Sequence, residues 1–209
     1  MLTRVVTLSH ATGAGGETIG RTVAKGLGFR YIDEEVINIA AQREGIDAAV
    51  VADEERRKSF LERLMAGIAI PVIGEASASM IVPEAIVASG ESLRTLIVEA
   101  IHEVAEQGQA VIVSHAASIP LADRSDVLRV FVTASATTRA QRTARDGGVA
   151  VAIAAEFIKE NDAGRADYFQ RFYRIERELP THYDLVINTD KLSADEVAEI
   201  IVAAVRRHA

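Results

Sequence analysis

Three stretches of this chain are so uniformly apolar and β-branched that neither face of the strands they predict can be left in water. Residues 4–9 (Arg-Val-Val-Thr-Leu-Ser), 110–114 (Ala-Val-Ile-Val-Ser) and 127–133 (Val-Leu-Arg-Val-Phe-Val-Thr) lack the polar alternation of a half-exposed strand. Two shorter runs, 29–32 and 184–188, add strands of the same kind. Segments of helical period separate them. Residues 91–107 place Leu93, Leu96, Ile97, Ala100, Ile101 and Val104 on one stripe, and Gly28 and Gly108 stop the helices that precede the second and third strands. Further helices are expected at 17–27, 34–43, 53–66, 136–145 and 149–177, the last ones punctuated at Gly147-Gly148 and Gly164. Ser193-Ala194-Asp195-Glu196 reads as a capping box opening a final helix to about residue 208. Strand and helix therefore alternate. Right-handed crossovers between such units give an α/β fold, a central parallel sheet covered by helices on both faces, whose ligands sit beyond the C-terminal ends of the strands. The loops after Ser9, Ile32, Ser114 and Thr133 are where function is expected.

Composition narrows the class. The 209 residues are expected to form one domain, 1–209, with 49% hydrophobic residues to fill its core. A net charge of −7 argues against a partner whose affinity rests on neutralising nucleic acid or an anionic membrane. With no cysteine, thiolate metal sites and cysteine nucleophiles are excluded. The most apolar region, 65–90, is interrupted by Pro71, Glu75, Pro83 and Glu84 and is too broken for a membrane span. The N-terminal run is too short for a signal peptide and reads as a strand, so the expected location is cytoplasmic.

The loop after the first strand carries the chemistry. A phosphate-cradling loop of the form G-x-x-x-x-G-K-[ST] turns its backbone amides inward, neutralises phosphate with lysine and binds magnesium through the hydroxyl. Here the corresponding residues are His10-Ala11-Thr12-Gly13-Ala14-Gly15-Gly16-Glu17-Thr18. Gly13, Gly15 and Gly16 keep the backbone freedom, and the following helix points its positive dipole end at the loop. The charges differ: His10 stands at the first glycine, Gly16 at the lysine and Glu17 at the hydroxyl position, with Thr18 one residue later. A tight turn without a ligand is the plain alternative. Glu17 either complements the helix dipole, the reading preferred here, or helps to hold magnesium.

Together with the rest of the chain, this loop resembles the cytidylate kinase-like family of nucleoside monophosphate kinase relatives. The resemblance is carried by Gly13-Ala14-Gly15-Gly16 with Ile19-Gly20, by Gly28-Phe29-Arg30-Tyr31-Ile32-Asp33, by Val111-Ile112-Val113 and by Val127-Leu128-Arg129-Val130-Phe131-Val132. Arg139, Arg142 and Arg145, Asp162-x-x-Arg165 with Tyr168, and Tyr183-Asp184-Leu185-Val186-Ile187-Asn188-Thr189 complete it. The resemblance implies a three-layer Rossmann-like P-loop fold with a helical lid and acceptor region. It also implies ATP as donor, bound by Gly13, Ala14, Gly15, Gly16, Glu17 and Thr18 with magnesium, and a pyrimidine monophosphate such as CMP or dCMP as acceptor.

Under it, Asp33, Asp162 and Arg165 match acceptor-binding positions, and the arginines at 139, 142 and 145 match lid residues that stabilise the moving phosphoryl group. Each has a plainer reading: Asp33 as a helix cap, Asp162 and Arg165 as a surface ion pair, the arginine stripe as a solvated helix face. Relatives usually carry arginine where His10 and Glu17 stand, and Gly-Arg where Ser114-His115 stands.

Ser9-His10-Ala11 and Ser114-His115-Ala116 both end apolar strands that the implied fold makes neighbours. His10 and His115 are therefore expected to converge near Asp33 as a pH-sensitive anion site, preferred over a two-histidine metal site. No resident metal is assigned. Three functions follow: a nucleotide phosphotransferase, an inactive relative that binds a nucleotide or phosphorylated metabolite as a sensor or partner-binding module, or a homo-oligomer joined through the apolar region 68–87 without a ligand.

Overall fold

A computed structural model describes residues 2–33, 36, 39, 90–114 and 116–207. The helices expected at 34–43 and 53–66 (apart from residues 36 and 39), the region 68–87 and His115 lie outside the described residues. Five strands form one sheet: β1 (Val5–His10), β2 (Arg30–Ile32), β3 (Ala110–Val113), β4 (Val127–Thr133) and β5 (Leu185–Asn188). Their order is β2-β3-β1-β4-β5, every pair parallel. β1 lies at the centre, with Val5 opposite both Ala110 and Val127.

The uniform hydrophobicity of these strands has its reason in two cores. Val5, Ala110, Ile112 and Val127 point to one face and pack against α2 (Gly90–Gln107) through Leu96, Ile97, Ala100, Ile101 and Val104. Val6, Leu8, Val111, Val113, Val130 and Val132 point to the other. There they meet Ile19 and Val23 of α1 (Gly16–Leu27), and Val197, Ile201 and Val205 of α5 (Ala194–Arg207). Period-two alternation thus sends apolar side chains alternately into two helix layers. The fold is three-layered, one sheet between two helix layers, as the sequence predicts.

Between β4 and β5 the chain makes α3 (Ala136–Gly147) and α4 (Val151–Tyr173), which pack on each other through Ala140, Phe157 and Ile158. Gly148, at φ +63°, closes α3. Gly164 does not interrupt the next helix, contrary to the sequence reading. One glycine costs a helix about 1 kcal/mol, and packing on both sides of it, by Phe157 and Ile158 before and Tyr168 and Phe169 after, holds the turn. The helix ends instead at Arg174, at φ +55°, whose N–H donates to the carbonyls of Gln170 and Phe169. The capping box is present: Ser193 Oγ accepts from the Glu196 amide at 3.3 Å, and the Glu196 carboxylate accepts from the Ser193 amide at 2.8 Å. Among the described residues no helix is long and apolar enough to cross a membrane.

Candidate functional site

The loop leaving the central strand closes on itself before α1 begins. Ala11 N–H donates to the carbonyl of Val132 at 3.0 Å, and Ala14 N–H donates to Ala11 at 3.0 Å. Gly13 and Gly15 hold φ +80° and +85°, the left-handed region open to glycine at least cost. Gly15 is the N-cap and brings no side chain, so the first amides of α1 depend on a partner outside the helix, with Glu17 beside them in the first turn. Residues 13–18 line a cleft of ≈ 370 Å³ together with His10, Arg142, Arg145, Asp146, Thr189 and the start of α5.

His10 shapes this loop. A Cβ built on Gly16 would lie 2.2 Å from His10 Cγ and 2.4 Å from Cδ2, so the imidazole fills the space a side chain at 16 needs. Its Nδ1 lies 3.4 Å from the carbonyl of Ala11 and its Nε2 3.4 Å from Ser114 Oγ. A carbonyl only accepts, so Nδ1 is the nitrogen that carries hydrogen in the neutral ring and Nε2 presents its lone pair to the serine. Burial holds this imidazole below its usual range; the Ala11 carbonyl opposes that effect, Arg165 adds to it, and Glu17 and Asp33 oppose it. The partner the structure gives His10 is Ser114, itself at φ +69°, whereas His115 is outside the described residues.

The arginines of α3 are brought to three different environments. Arg139 is buried and donates through both terminal nitrogens to the Asp162 carboxylate at 2.9 and 2.8 Å, and to the Thr12 carbonyl at 3.3 Å. Arg142 donates to Thr189 Oγ1 at 2.8 Å and to its carbonyl at 2.6 Å, while Thr189 Oγ1 donates to the Ala14 carbonyl at 3.2 Å. Arg145 is exposed beside Asp146 at 2.9 Å. The expected single stripe is therefore corrected. Three residues advance a helix by about 300°, so each step falls roughly 60° short and the guanidinium groups fan from the α4 interface through the cleft to solvent.

Asp162 and Arg165 also separate. Arg165 is clamped by Glu178, its Nε and Nη2 donating to the carboxylate at 2.8 and 2.7 Å, and its guanidinium lies 4.9 Å from the Phe169 ring centroid. Tyr183 O–H donates to the same carboxylate and its ring stacks on Phe131 with centroids 5.1 Å apart. For Glu178 the cost of burial is outweighed by Arg165, which holds the carboxyl below its ordinary range; burial and the adjoining Glu178 push Tyr183 up to about 12. Asp33 follows β2 directly, within 3.4 Å of the Tyr31 hydroxyl that donates to it, and its carbonyl accepts from the Val36 amide at 3.2 Å. Burial and Asp33 push Tyr31 up to about 12.

Glu178 and Thr189 are the partners that sequence reasoning missed. Thr189 closes the Tyr-Asp-Leu-Val-Ile-Asn-Thr run, so its position was visible, but Glu178 lies in an irregular stretch with no spacing signal. Asp33, His10, Ser114 and Thr189 all stand at or just beyond the C-terminal ends of parallel strands, where this architecture places its ligands.

A model of the cytidylate kinase-like family matches residues 5–191. The chain belongs to the cytidylate kinase-like family. The cytidylate kinase of Sulfurisphaera tokodaii is 24% identical to it over 200 residues, covering 95% of this chain and 93% of that one. Among solved structures, an uncharacterized protein from Eubacterium ventriosum superposes with a TM-score of 0.67 at 16% identity, covering 97% of this chain and 98% of its own. A shikimate kinase from Bacteroides thetaiotaomicron gives a TM-score of 0.54 at 16% identity, covering 97% and 98%. These likenesses are of fold: a Rossmann-like α/β sheet of the P-loop kinase kind. Against the general phosphate-loop pattern of a first glycine and a lysine, this chain carries His10 and Gly16.

Proposed function

We propose that the chain is a nucleotide-binding phosphotransferase that takes the terminal phosphoryl group of magnesium–ATP and passes it to a nucleoside monophosphate, a pyrimidine one such as CMP or dCMP. The observation that carries this reading is the cleft lined by the start of α1 together with Arg142, Arg145 and Thr189, in a chain of this family. An anion there meets the N–H groups that Gly15 leaves uncapped and the positive end of the helix. Arg142, fixed by two donations to Thr189, is held ready beside the phosphates, and Arg145 is exposed enough to turn inward.

Phosphoryl transfer asks mainly for positioning and for charge at the equatorial oxygens, which suits arginine and backbone amides. Magnesium is assigned here as part of the metal–nucleotide substrate, held mainly by the phosphates and water. Asp33 is assigned to the acceptor's sugar or base. Asp162 and Arg165 are reassigned: they hold Arg139 and Glu178, so their part is to fix α3, α4 and the loop rather than to form a ready phosphate clamp.

Isothermal calorimetry with ATP, CMP and dCMP, with and without magnesium, tests this, followed by a transfer assay on any pair that binds. The expected result is magnesium-dependent ATP binding with transfer to one of the monophosphates. Arg142→Ala is expected to weaken ATP binding by about tenfold, the loss of one or two charge-assisted hydrogen bonds. Binding without transfer would support the second reading, a nucleotide sensor, which the absence of a loop lysine favours. Absence of binding would overturn both.

A further inference from the structure

We propose that His10 and Gly16 have exchanged the two parts that glycine and lysine play in a phosphate loop, so that the imidazole of His10 takes up a proton when phosphate binds and supplies the missing cation. This rests on the nucleotide reading above and names the residue that reading leaves unassigned. Its basis is steric. With the imidazole in place no side chain fits at Gly16, since even a Cβ would come within 2.2 Å of the ring. The usual loop keeps the first position empty and carries the long side chain on the helix; here the side chain is at the first position and the helix position is empty. The imidazole lines the same cleft as residues 13–18, Arg142 and Arg145.

The proton has a defined place to go. Nδ1–H faces the Ala11 carbonyl, so a second proton enters at Nε2, and the Ser114 hydroxyl 3.4 Å away turns from donor to acceptor. The groups facing the ring pull in both directions. Arg165 from α4 works against protonation, Glu17 from α1 and Asp33 after β2 favour it, and Arg142, Arg145 and Asp146 of α3 line the shared cleft. Before phosphate binds, burial disfavours the charged ring. A phosphate dianion adds negative charge beside it and raises its proton affinity. By linkage, nucleotide affinity is then greatest below the ring's pKa in the free protein, falls as pH rises and levels off above its pKa in the complex. It changes by about tenfold for each pKa unit by which binding raises the ring.

Magnesium–ATP is titrated calorimetrically into the full chain near pH 7, in two buffers of different ionisation enthalpy. The wild type, His10→Gln and the double variant His10→Gly/Gly16→Lys are compared; protons gained or lost by ATP itself are common to all three. The expected result is that the wild type takes up a fraction of a proton more than either variant, and that the double variant binds without the added pH dependence. Thermal unfolding supplies the steric arm: Gly16→Lys alone is expected to unfold at lower temperature than the double variant. Equal proton uptake in wild type and His10→Gln overturns the inference while leaving the nucleotide reading intact. A Gly16→Lys single variant as stable as the double variant also overturns it. No ATP binding by the wild type fails the nucleotide reading and this inference with it. Should His10→Gln fail to fold, the His10 ring proton shifts of the wild type, titrated over pH with and without ATP, decide: an upward move of the midpoint supports the exchange and an unchanged midpoint overturns it.

Discussion

Gly13 shows how tightly the loop is fixed by its surroundings. Its φ is +80°, and a Cβ there would meet Thr143 Oγ1 at 2.8 Å and the Arg139 carbonyl oxygen at 2.9 Å. Backbone strain and collision with a helix backbone act together, so Gly13→Ala is expected to cost about 1–3 kcal/mol. Thermal unfolding would read this as a drop of several degrees; an unchanged midpoint would mean that the loop moves freely against α3. Gly16 differs because its obstacle is a side chain, which makes its tolerance depend on residue 10. The three arginines teach a related lesson at the same scale. One residue type at regular spacing is a buried tie at 139, a braced cation at 142 and a solvated group at 145.

At the scale of elements, α4 is the piece on which the loop and α3 depend. Asp162 on this helix takes both terminal nitrogens of Arg139, and Arg139 also reaches the Thr12 carbonyl, so α3, α4 and the phosphate loop share one buried guanidinium. Gly164 sits two residues further along the same helix with nothing within 4 Å of its would-be Cβ. Gly164→Ala is therefore expected to stabilise the protein by about 0.5–1 kcal/mol through helix propensity alone, seen as a higher denaturant midpoint at unchanged slope. A loss of stability would show that the glycine serves a motion of α4 rather than its resting form. Arg165, one residue on, joins the helix to the Glu178 stretch, and Phe131 of β4 stacks on Tyr183 beside it.

Across the whole molecule, these ties make stability depend on pH in a defined direction. Glu178 and Asp126 are held below their ordinary ranges, Glu178 by Arg165 against the cost of its burial and Asp126 chiefly by its hydrogen bond from Arg124. A depressed folded-state pKa means that the native form prefers the carboxylate. That contribution is fully present above the unfolded value of about 4 and is lost as pH falls through the folded values. Unfolding by denaturant should thus show stability falling steeply below about pH 4. Glu178→Gln should be less stable at neutral pH by about 3 kcal/mol, because Arg165 loses its charged partner in a largely buried setting, and should show a shallower acid limb. An acid limb identical to that of the wild type would move the pH dependence elsewhere.

The strands, the Gly-rich turn, the capping box at Ser193 and the family resemblance were legible in the chain because each is local: a run of β-branched residues, a glycine pair, a serine three residues before a glutamate. The place of the candidate site follows from the same order, since parallel α/β sheets put ligands beyond the strand ends. What local pattern does not carry is the choice of partner. Asp162 was read beside Arg165, three residues away, yet its charge goes to Arg139, 23 residues distant in sequence; Arg165 turns to Glu178, 13 residues away. His10 and Gly16 are six positions apart and looked like two separate losses from a phosphate loop. Only the folded turn, which lays the imidazole over the helix start, makes them one steric unit. Spacing sets which side chains share a helix face, but the packing of one helix on another decides where each charge finds its opposite.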